Sequence, residues 1–245
     1  FLVIPGEEFS ADSFHANIFN GIVDKQYSDS LQSVIDTVID ADTEQVPLTI
    51  GWNHPFGHGK DLVDENLVGL PLLEVWNTKL GDEEKSTIDL WWSWLIQGKR
   101  VFAETGTDNH HRVDNLYGHR RTYVYLKDQD LTANNVVKAL SSGRSFVSRG
   151  ALIYFTGNDA MPGDTTDSGD LDICVEVDSA TPLVRVEIVG NGHVVHSFEI
   201  ENVRQFSGIT TIEDAKGWYL AQAFGSGDDT RPLAMTNPIF CVNQY

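Results

Sequence analysis

The stretch Leu171-Asp-Ile-Cys-Val-Glu-Val177 alternates apolar and polar residues, and Val184-Arg-Val-Glu-Ile188 repeats the pattern. A period of two is typical of antiparallel strands that bury one face. Gly190-Asn191-Gly192 follows as a strong hairpin signal, and apolar runs continue between turns rich in Gly and Asp. No helical stripe of apolar residues occurs in this half of the sequence. We therefore predict an antiparallel β-sandwich over residues 151–245.

Residues 1–150 follow a different pattern, in which strands alternate with helices. Apolar residues recur at helical spacing in residues 29–41, and two more helices are indicated over residues 83–97 and from Thr132 to Gly143. Short apolar runs predict strands at residues 1–4, 46–52, 72–76, 100–105, 122–126 and 145–148. This alternation indicates an α/β domain over residues 1–150, with a mostly parallel sheet or barrel.

The charge of the chain restricts its partners. Its 245 residues carry 36 acidic and 17 basic side chains, a formal net charge of −19. Nucleic-acid binding depends on Lys and Arg neutralising phosphates, so this composition argues against a nucleic-acid partner. It argues equally against binding to an anionic membrane surface. At 41% hydrophobic residues, the chain nevertheless has ample material for a folded core.

Few features of the sequence bear on its compartment. The two cysteines, Cys174 and Cys241, cannot form a disulfide framework, and the pattern leaves open whether they form a single bridge. No apolar run approaches the roughly 20 residues that span a bilayer. We expect a soluble protein whose location stays unassigned, with the periplasm and the extracellular space as candidates.

Potential metal ligands follow three of the predicted strands in the first domain. Glu8 and His15 come after the first strand, His54 after the strand at 46–52, and Asp108 with His110 after the strand at 100–105. The carboxyl ends of parallel strands lie at one edge of a sheet, where loops converge. Carboxylate and imidazole are the groups that bind Zn, Mn or Fe in proteins. The joint placement predicts a metal site.

A basic segment follows the third of these motifs. Residues 109–125 hold three Arg and three His against one acid. One interpretation is ion pairing with the acidic surroundings. The other is recognition of an anionic substrate, with Arg112, Arg120 or Arg121 binding a phosphate or carboxylate. The sequence leaves both open.

Taken in order, these motifs resemble the PHP (polymerase and histidinol phosphatase) superfamily, in its carbaryl-hydrolase-like branch. The resemblance covers essentially the whole chain, and the ordered set is more specific than any single motif. The matching stretches are Ile4-Pro-Gly-Glu-Glu8, His15-Ala-Asn17, Asn53-His-Pro55, Leu73-Glu-Val-Trp-Asn77, Trp91–Arg100, Gly106-Thr-Asp-Asn-His110, Arg121-Thr-Tyr-Val-Tyr125, Leu131–Ser148 and Thr236-Asn-Pro-Ile-Phe240.

The resemblance implies a distorted, TIM-barrel-like (β/α)7 barrel with two or three divalent ions at the carboxyl ends of its strands. Glu8 would bridge two ions, His15 and His54 would complete one site, and Asp108 and His110 would serve the others. The His-x-His pair that opens this family is absent before Glu8. Because the chain starts in what reads as the middle of a strand, we expect an N-terminally incomplete barrel. An upstream segment or a second chain would then supply the pair.

The implied function is metal-dependent hydrolysis of a small anionic or ester substrate, with a phosphoester as the expected bond. Glu8, Asp108 and His110 would be catalytic, and Arg112 and Arg121 would bind substrate. A carbamate or amide hydrolase on the same site is one alternative. Another is a non-catalytic binding module with a vestigial metal site, in which Trp218 and Tyr219 of the sandwich, if exposed, engage carbohydrate or a protein partner, although aromatic residues in such strands more often belong to the core.

Overall fold

The computed structural model of the chain describes residues 2–57, 63–77, 81–110, 118–226 and 231–242. It is mostly β, with 48% of residues in strands and 15% in helices. The elements in chain order are β1 (Gly6–Ser10), β2 (His15–Phe19), α1 (Leu31–Ala41), β3 (Thr49–Asn53), β4 (Leu72–Asn77), α2 (Gly81–Ile96), β5 (Phe102–Gly106), β6 (Arg121–Val124), α3 (Ala133–Ser141), β7 (Ser145–Ser148), β8 (Ala151–Gly157), β9 (Thr165–Asp167), β10 (Gly169–Gly190), β11 (His193–Ala215), β12 (Gly217–Gly225), β13 (Ala234–Thr236) and β14 (Ile239–Val242).

The first sheet has five strands in the order β1-β2-β3-β4-β5. The pairs β1–β2 and β2–β3 are antiparallel, whereas the pairs β3–β4 and β4–β5 are parallel. Helix α1 begins after Ser30, whose hydroxyl accepts the Ser33 N–H, and its apolar stripe packs into the core beside this sheet. Helix α2 contributes Trp91 and Trp94 to the same core.

The predicted (β/α)7 barrel is wrong. The first sheet is open and mixed, and among the described residues its end strands β1 and β5 each pair with a single neighbouring strand. Residues 6–19, predicted to follow a first strand at residues 1–4, instead form the β1–β2 hairpin, because Ala16 and Ile18 alternate inward and are fully buried. This high strand content also conflicts with the TIM-barrel-like, PHP-type hydrolase fold that the resemblance implied.

The second sheet has nine strands, organised around the long hairpin of β10 and β11. Strands β8 and β12 pair with opposite ends of β10, and the sheet continues through β13 and β7 to β6. The two alternating stretches of sequence belong to the single strand β10, with a register shift between Asp178 and Leu183. The predicted turn at Gly190–Gly192 is confirmed, with Asn191 and Gly192 at positive φ. These antiparallel strands enclose their own apolar core, which gives this half the β-sandwich character predicted.

Side chains from outside the first sheet cover the free edge of β5. The N–H of Ala103 donates to Asn237 Oδ1 at 2.7 Å, and Asn237 Nδ2 donates to the Ala103 carbonyl at 3.2 Å. Two residues along, the N–H of Thr105 donates to Thr122 Oγ1 at 3.0 Å, and that hydroxyl lies 3.4 Å from the Thr105 carbonyl. Asn237 is fully buried and also donates to Ser145 Oγ. The edge backbone groups are therefore paired without a further strand.

Two smaller predictions concern cysteines and membranes. Cys174 and Cys241 are free thiols, and burial raises the pKa of the Cys241 thiol to about 11. Within the described part of the chain, none of the helices combines the length and apolarity needed to cross a membrane.

Candidate metal centre

Three of the predicted metal ligands lie together at one end of the first sheet. Glu8 is in the middle of β1, His15 is the first residue of β2, and His54 directly follows β3. The strand register places His15 opposite Asn53, so the two histidines come from adjacent strands. One ligand atom of each side chain lies within 4.8 Å of the others. His15 Nδ1 is 3.1 Å from Glu8 Oε1, and the two imidazole ring centres are 4.9 Å apart.

His54 is held in this position by its backbone. Its φ is +30°, outside the region that most residues occupy. Its N–H donates to Glu74 Oε2 at 2.7 Å, and its carbonyl accepts the Gly57 N–H at 2.7 Å. Asn77 Nδ2 donates to both oxygens of Glu74 at 3.2 Å, which fixes the carboxylate in turn. The buried Glu74 therefore links the core of the sheet to a candidate ligand.

A second buried carboxylate lies beside Glu74. Glu104 of β5 is directly opposite Glu74 of β4, and both side chains are almost fully buried. Burial, with a smaller contribution from the neighbouring Glu74 carboxylate, raises the pKa of Glu104 to about 8. Burial also raises the pKa of Glu74 to about 7, although hydrogen bonds from Asn77 and from the His54 N–H oppose the change.

Two glycines make room for these carboxylates. A Cβ added at Gly51 would lie 2.9 Å from Glu104 Oε1, and one added at Gly106 would lie 2.6 Å from Glu74 Oε1. Real Cβ atoms do not approach neighbours this closely without displacing them. The glycines therefore allow two acidic side chains to fit within a close-packed sheet.

Asp108 and His110 lie in the loop that follows β5. His110 Nε2 is 2.5 Å from Asp108 Oδ1, and Asp108 adopts a φ of +43°. The charge of Asp108 contributes to the raised pKa of Glu74, which shows that the two carboxylates are close. Neither Asp108 nor His110 belongs to the cluster of Glu8, His15 and His54, the one such cluster found among the described residues. The structure thus arranges the five predicted ligands as a group of three and a pair.

The three candidate arginines have different surroundings. Arg112 lies outside the described residues. Arg120 is mostly buried, forms an ion pair with Glu84 and donates to the Asn77 carbonyl at 2.7 Å, as the ion-pairing interpretation predicts. Arg121 is exposed at the start of β6, next to Thr122, whose hydroxyl contacts the end of β5. Of the two described arginines, Arg121 is therefore the one accessible to an anionic substrate.

Glu74 and Glu104 are absent from the site residues predicted from the sequence. Each is a single carboxylate within a strand that is otherwise apolar or small, Leu72–Asn77 and Phe102–Gly106. An ionisable residue in a fully buried strand costs free energy unless it is paired or neutral, which makes it a candidate for a role at a site. That signal was present in the sequence.

The binding surface suggested for the sandwich is absent at the expected residues. Trp218 and Tyr219 of β12 are 2% and 5% exposed, so they belong to the core and offer no surface for a partner. Trp218 packs against Trp92 of α2, with ring centres 6.1 Å apart. Of the two alternatives for these aromatics, exposure is therefore wrong and a place in the core is confirmed, because both faces of β12 are covered.

Comparisons with known proteins give no relative by sequence. No known protein family matches the chain, and no curated protein matches it significantly. Among solved structures, the fibronectin(III)-like modules of Clostridium thermocellum CbhA match with 22% identity and a TM-score of 0.28, over 37% of this chain and 98% of that chain. An engineered protein matches with 10% identity and a TM-score of 0.25, over 78% of this chain and 54% of that one. Scores this low assign neither fold nor function.

Proposed function

We propose that this chain is a divalent-metal-dependent hydrolase that acts on phosphoester bonds. The observation that supports the proposal is the convergence of Glu8, His15 and His54, whose ligand atoms lie within 4.8 Å of one another. Two imidazoles and one carboxylate are a donor set typical of catalytic sites, in which three protein ligands leave a position open for water or substrate.

The chemistry of the donors fits the metals that the sequence suggests. Imidazole and carboxylate together suit Zn, Mn and Fe. Ligands about 2.0–2.2 Å from one ion lie at most roughly 4 Å apart, so the 4.8 Å limit of the cluster requires a movement of about an ångström or less. A bound divalent cation supplies acidity to a coordinated water and neutralises charge on a phosphoryl oxygen.

The remaining residues support this cluster. Glu74 accepts the His54 N–H, and the His54 imidazole lies edge-on to that of His15, with ring centres 4.9 Å apart. Asp108 and His110 would hold a further ion beside Glu74, which is consistent with the two or three ions implied by the PHP resemblance. Arg121 would orient the anionic substrate from the edge of the site.

The decisive experiment combines metal content with activity. Protein loaded with Zn or Mn should retain at least about one ion per chain by elemental analysis after desalting, and should hydrolyse bis(4-nitrophenyl) phosphate. The variant His54→Asn removes the imidazole and suits the left-handed backbone at this position. It should lose both properties, while His193→Ala on the exposed surface of β11 should retain them.

Each other result contradicts the proposal. Equal metal content and activity in His54→Asn would show that the cluster is not the site. Bound metal without hydrolysis would favour the binding module, and activity on an aryl carbamate or amide instead of the phosphodiester would favour the alternative hydrolase.

A further inference from the structure

A large cavity lies in the second sheet, away from the candidate metal ligands. It has a volume of about 810 Å³ and lies between strands β6 and β7 on one side and β8, β10 and β11 on the other. A volume in this range accommodates a whole small molecule. None of Glu8, His15, His54, Asp108 or His110 lines it, so its role is separate from the function proposed above.

Aromatic rings form one wall of this cavity. The ring of Tyr123 stacks on that of Phe146, with centres 4.9 Å apart and planes at 7°. Tyr125 contacts Phe146 at 5.5 Å and 41°, and Tyr154 contacts Tyr125 at 6.2 Å and 82°. The four rings are therefore contiguous, and their planes turn from parallel to perpendicular along the wall. The rings along this wall therefore take more than one orientation.

The wall is held in place by the fold. The Tyr125 hydroxyl donates to the Ile153 carbonyl of β8, a strand that pairs only with β10 among the described strands. Burial raises the pKa of Tyr125 well above its ordinary value, so the hydroxyl stays protonated and able to donate. Phe146 is almost fully buried, whereas Tyr154 is 43% exposed. The wall thus has a fixed base and an accessible edge.

Carboxylates line the same cavity. Glu176 and Asp178 are neighbours on the exposed face of β10, and the strand register places Glu176 beside Tyr154 and Asp178 beside Gln205. Gln205 Nε2 donates to Asp178 Oδ2 at 3.1 Å. Among the described residues that line the cavity, none is Lys, Arg or His. The lining is therefore aromatic and anionic, in a chain whose net charge is −19.

We propose that this cavity binds an organic cation with an alkylammonium group. Aromatic ring faces attract a cation through their quadrupole, and methylated ammonium ions are bound in this way in aromatic cages. The two carboxylates also attract a cation, and the acidic surface raises the local concentration of cations. A neutral sugar would also stack on the rings, but it carries no charge that the carboxylates of the lining could attract.

The test compares two molecules of the same shape. Choline carries a trimethylammonium group, and 3,3-dimethyl-1-butanol replaces its nitrogen with carbon and has no charge. In an NMR titration of the whole chain, choline should bind at least about ten-fold more tightly than the alcohol, with shifts centred on β8 and β10. Added salt should weaken the binding of choline and leave that of the alcohol unchanged.

Two variants locate the site, and a third variant serves as the control. Tyr154→Ala removes an accessible ring and should weaken choline binding about five-fold, and Glu176→Gln should weaken it about three-fold. Glu213→Gln makes the same change in charge on an exposed position of β11 outside the cavity, and its affinity should equal that of the parent chain. Thermal unfolding of each variant verifies that it is folded.

Four results would overturn the proposal. They are equal affinity for choline and the alcohol, no saturable binding of choline, unchanged affinity in both cavity variants, and tighter binding of a disaccharide such as cellobiose at the same residues. Since none of these measurements depends on metal or hydrolysis, the failure of this proposal and that of the proposed function are distinguishable.

Discussion

The variant Glu104→Gln should stabilise the protein at neutral and alkaline pH. Glu104 is fully buried, and its Oε1 has no hydrogen-bond partner among the described residues. Its pKa rises from 4.5 to about 8 on folding. This interval corresponds to on the order of 5 kcal/mol, the cost of ionising the group within the folded sheet. Glutamine has nearly the same shape and never ionises, so it avoids that cost.

The sign of the effect depends on pH. Below about pH 4.5 the carboxyl is protonated in both the folded and the unfolded chain, so its contribution to stability is fully present. Between that pH and about 8, only the unfolded chain ionises, and the free energy of unfolding of the parent protein falls. The free energy of unfolding of Glu104→Gln does not fall in this way, because glutamine does not ionise. Its advantage should therefore be near zero at pH 4.5 and reach a few kcal/mol at pH 8.

Urea denaturation of metal-free protein in the presence of a chelator measures this difference. The free energies of unfolding of the parent chain, Glu104→Gln and the exposed control Glu213→Gln are compared at pH 4.5, 6 and 8. The control should follow the parent at each pH. If Glu104→Gln also follows the parent from pH 4.5 to 8, the Glu104 carboxyl is ionised in the folded protein and the reasoning from burial fails.

Three further substitutions test other parts of the structure. Gly106→Ala places a Cβ 2.6 Å from Glu74 Oε1 and should cost about 1–3 kcal/mol and weaken zinc retention, measured by denaturation and elemental analysis; unchanged retention would contradict a supporting role for Glu74. Asn237→Ala removes buried hydrogen bonds to Ala103 and Ser145 and should cost about 2–4 kcal/mol in urea denaturation; a loss below about 0.5 kcal/mol would refute this. Ser30→Ala removes the cap of α1 and should cost about 1 kcal/mol, whereas Ser30→Asp should cost almost nothing.

Elements with a strong local pattern were predicted well from the sequence. Helix α3 begins after Thr132, whose hydroxyl accepts the Asn135 N–H, as predicted, and strand β7 has the predicted bounds Ser145–Ser148. Helix α1 begins at Leu31, two residues after the predicted start at residue 29, because Ser30 caps it. Capping and periodicity act within a few residues, so they can be identified without knowledge of the fold.

The failures concern how the strands pair. The local sequence does not distinguish a strand that runs parallel to its neighbour from one that runs antiparallel. The first sheet begins with the antiparallel hairpin of β1 and β2 and is open, where a parallel barrel was expected. The apolar run at residues 1–4 was assigned to a strand, whereas the described residues 2–4 lie outside the strands, before Gly6. Tertiary pairing decided between these alternatives.

The candidate metal centre shows the same division. Glu8, His15 and His54 were identified by their chemistry and their place after apolar runs, and the structure brings them together on different strands than expected. Glu74 was missed because its strand reads as core, and only the register of β4 shows that it contacts the His54 backbone. Composition identifies candidates, but the register determines which of them meet.

The cover that Asn237 provides for β5 has a consequence for how this protein can evolve. One side chain near the end of the sequence satisfies both backbone groups of Ala103, 134 positions earlier. Recombination that joined the first half to an unrelated C-terminal half would leave those groups unpaired, unless the new half placed a side-chain amide at the same position. The first half therefore depends on the second for a satisfied backbone, although their sequence patterns look like separate modules.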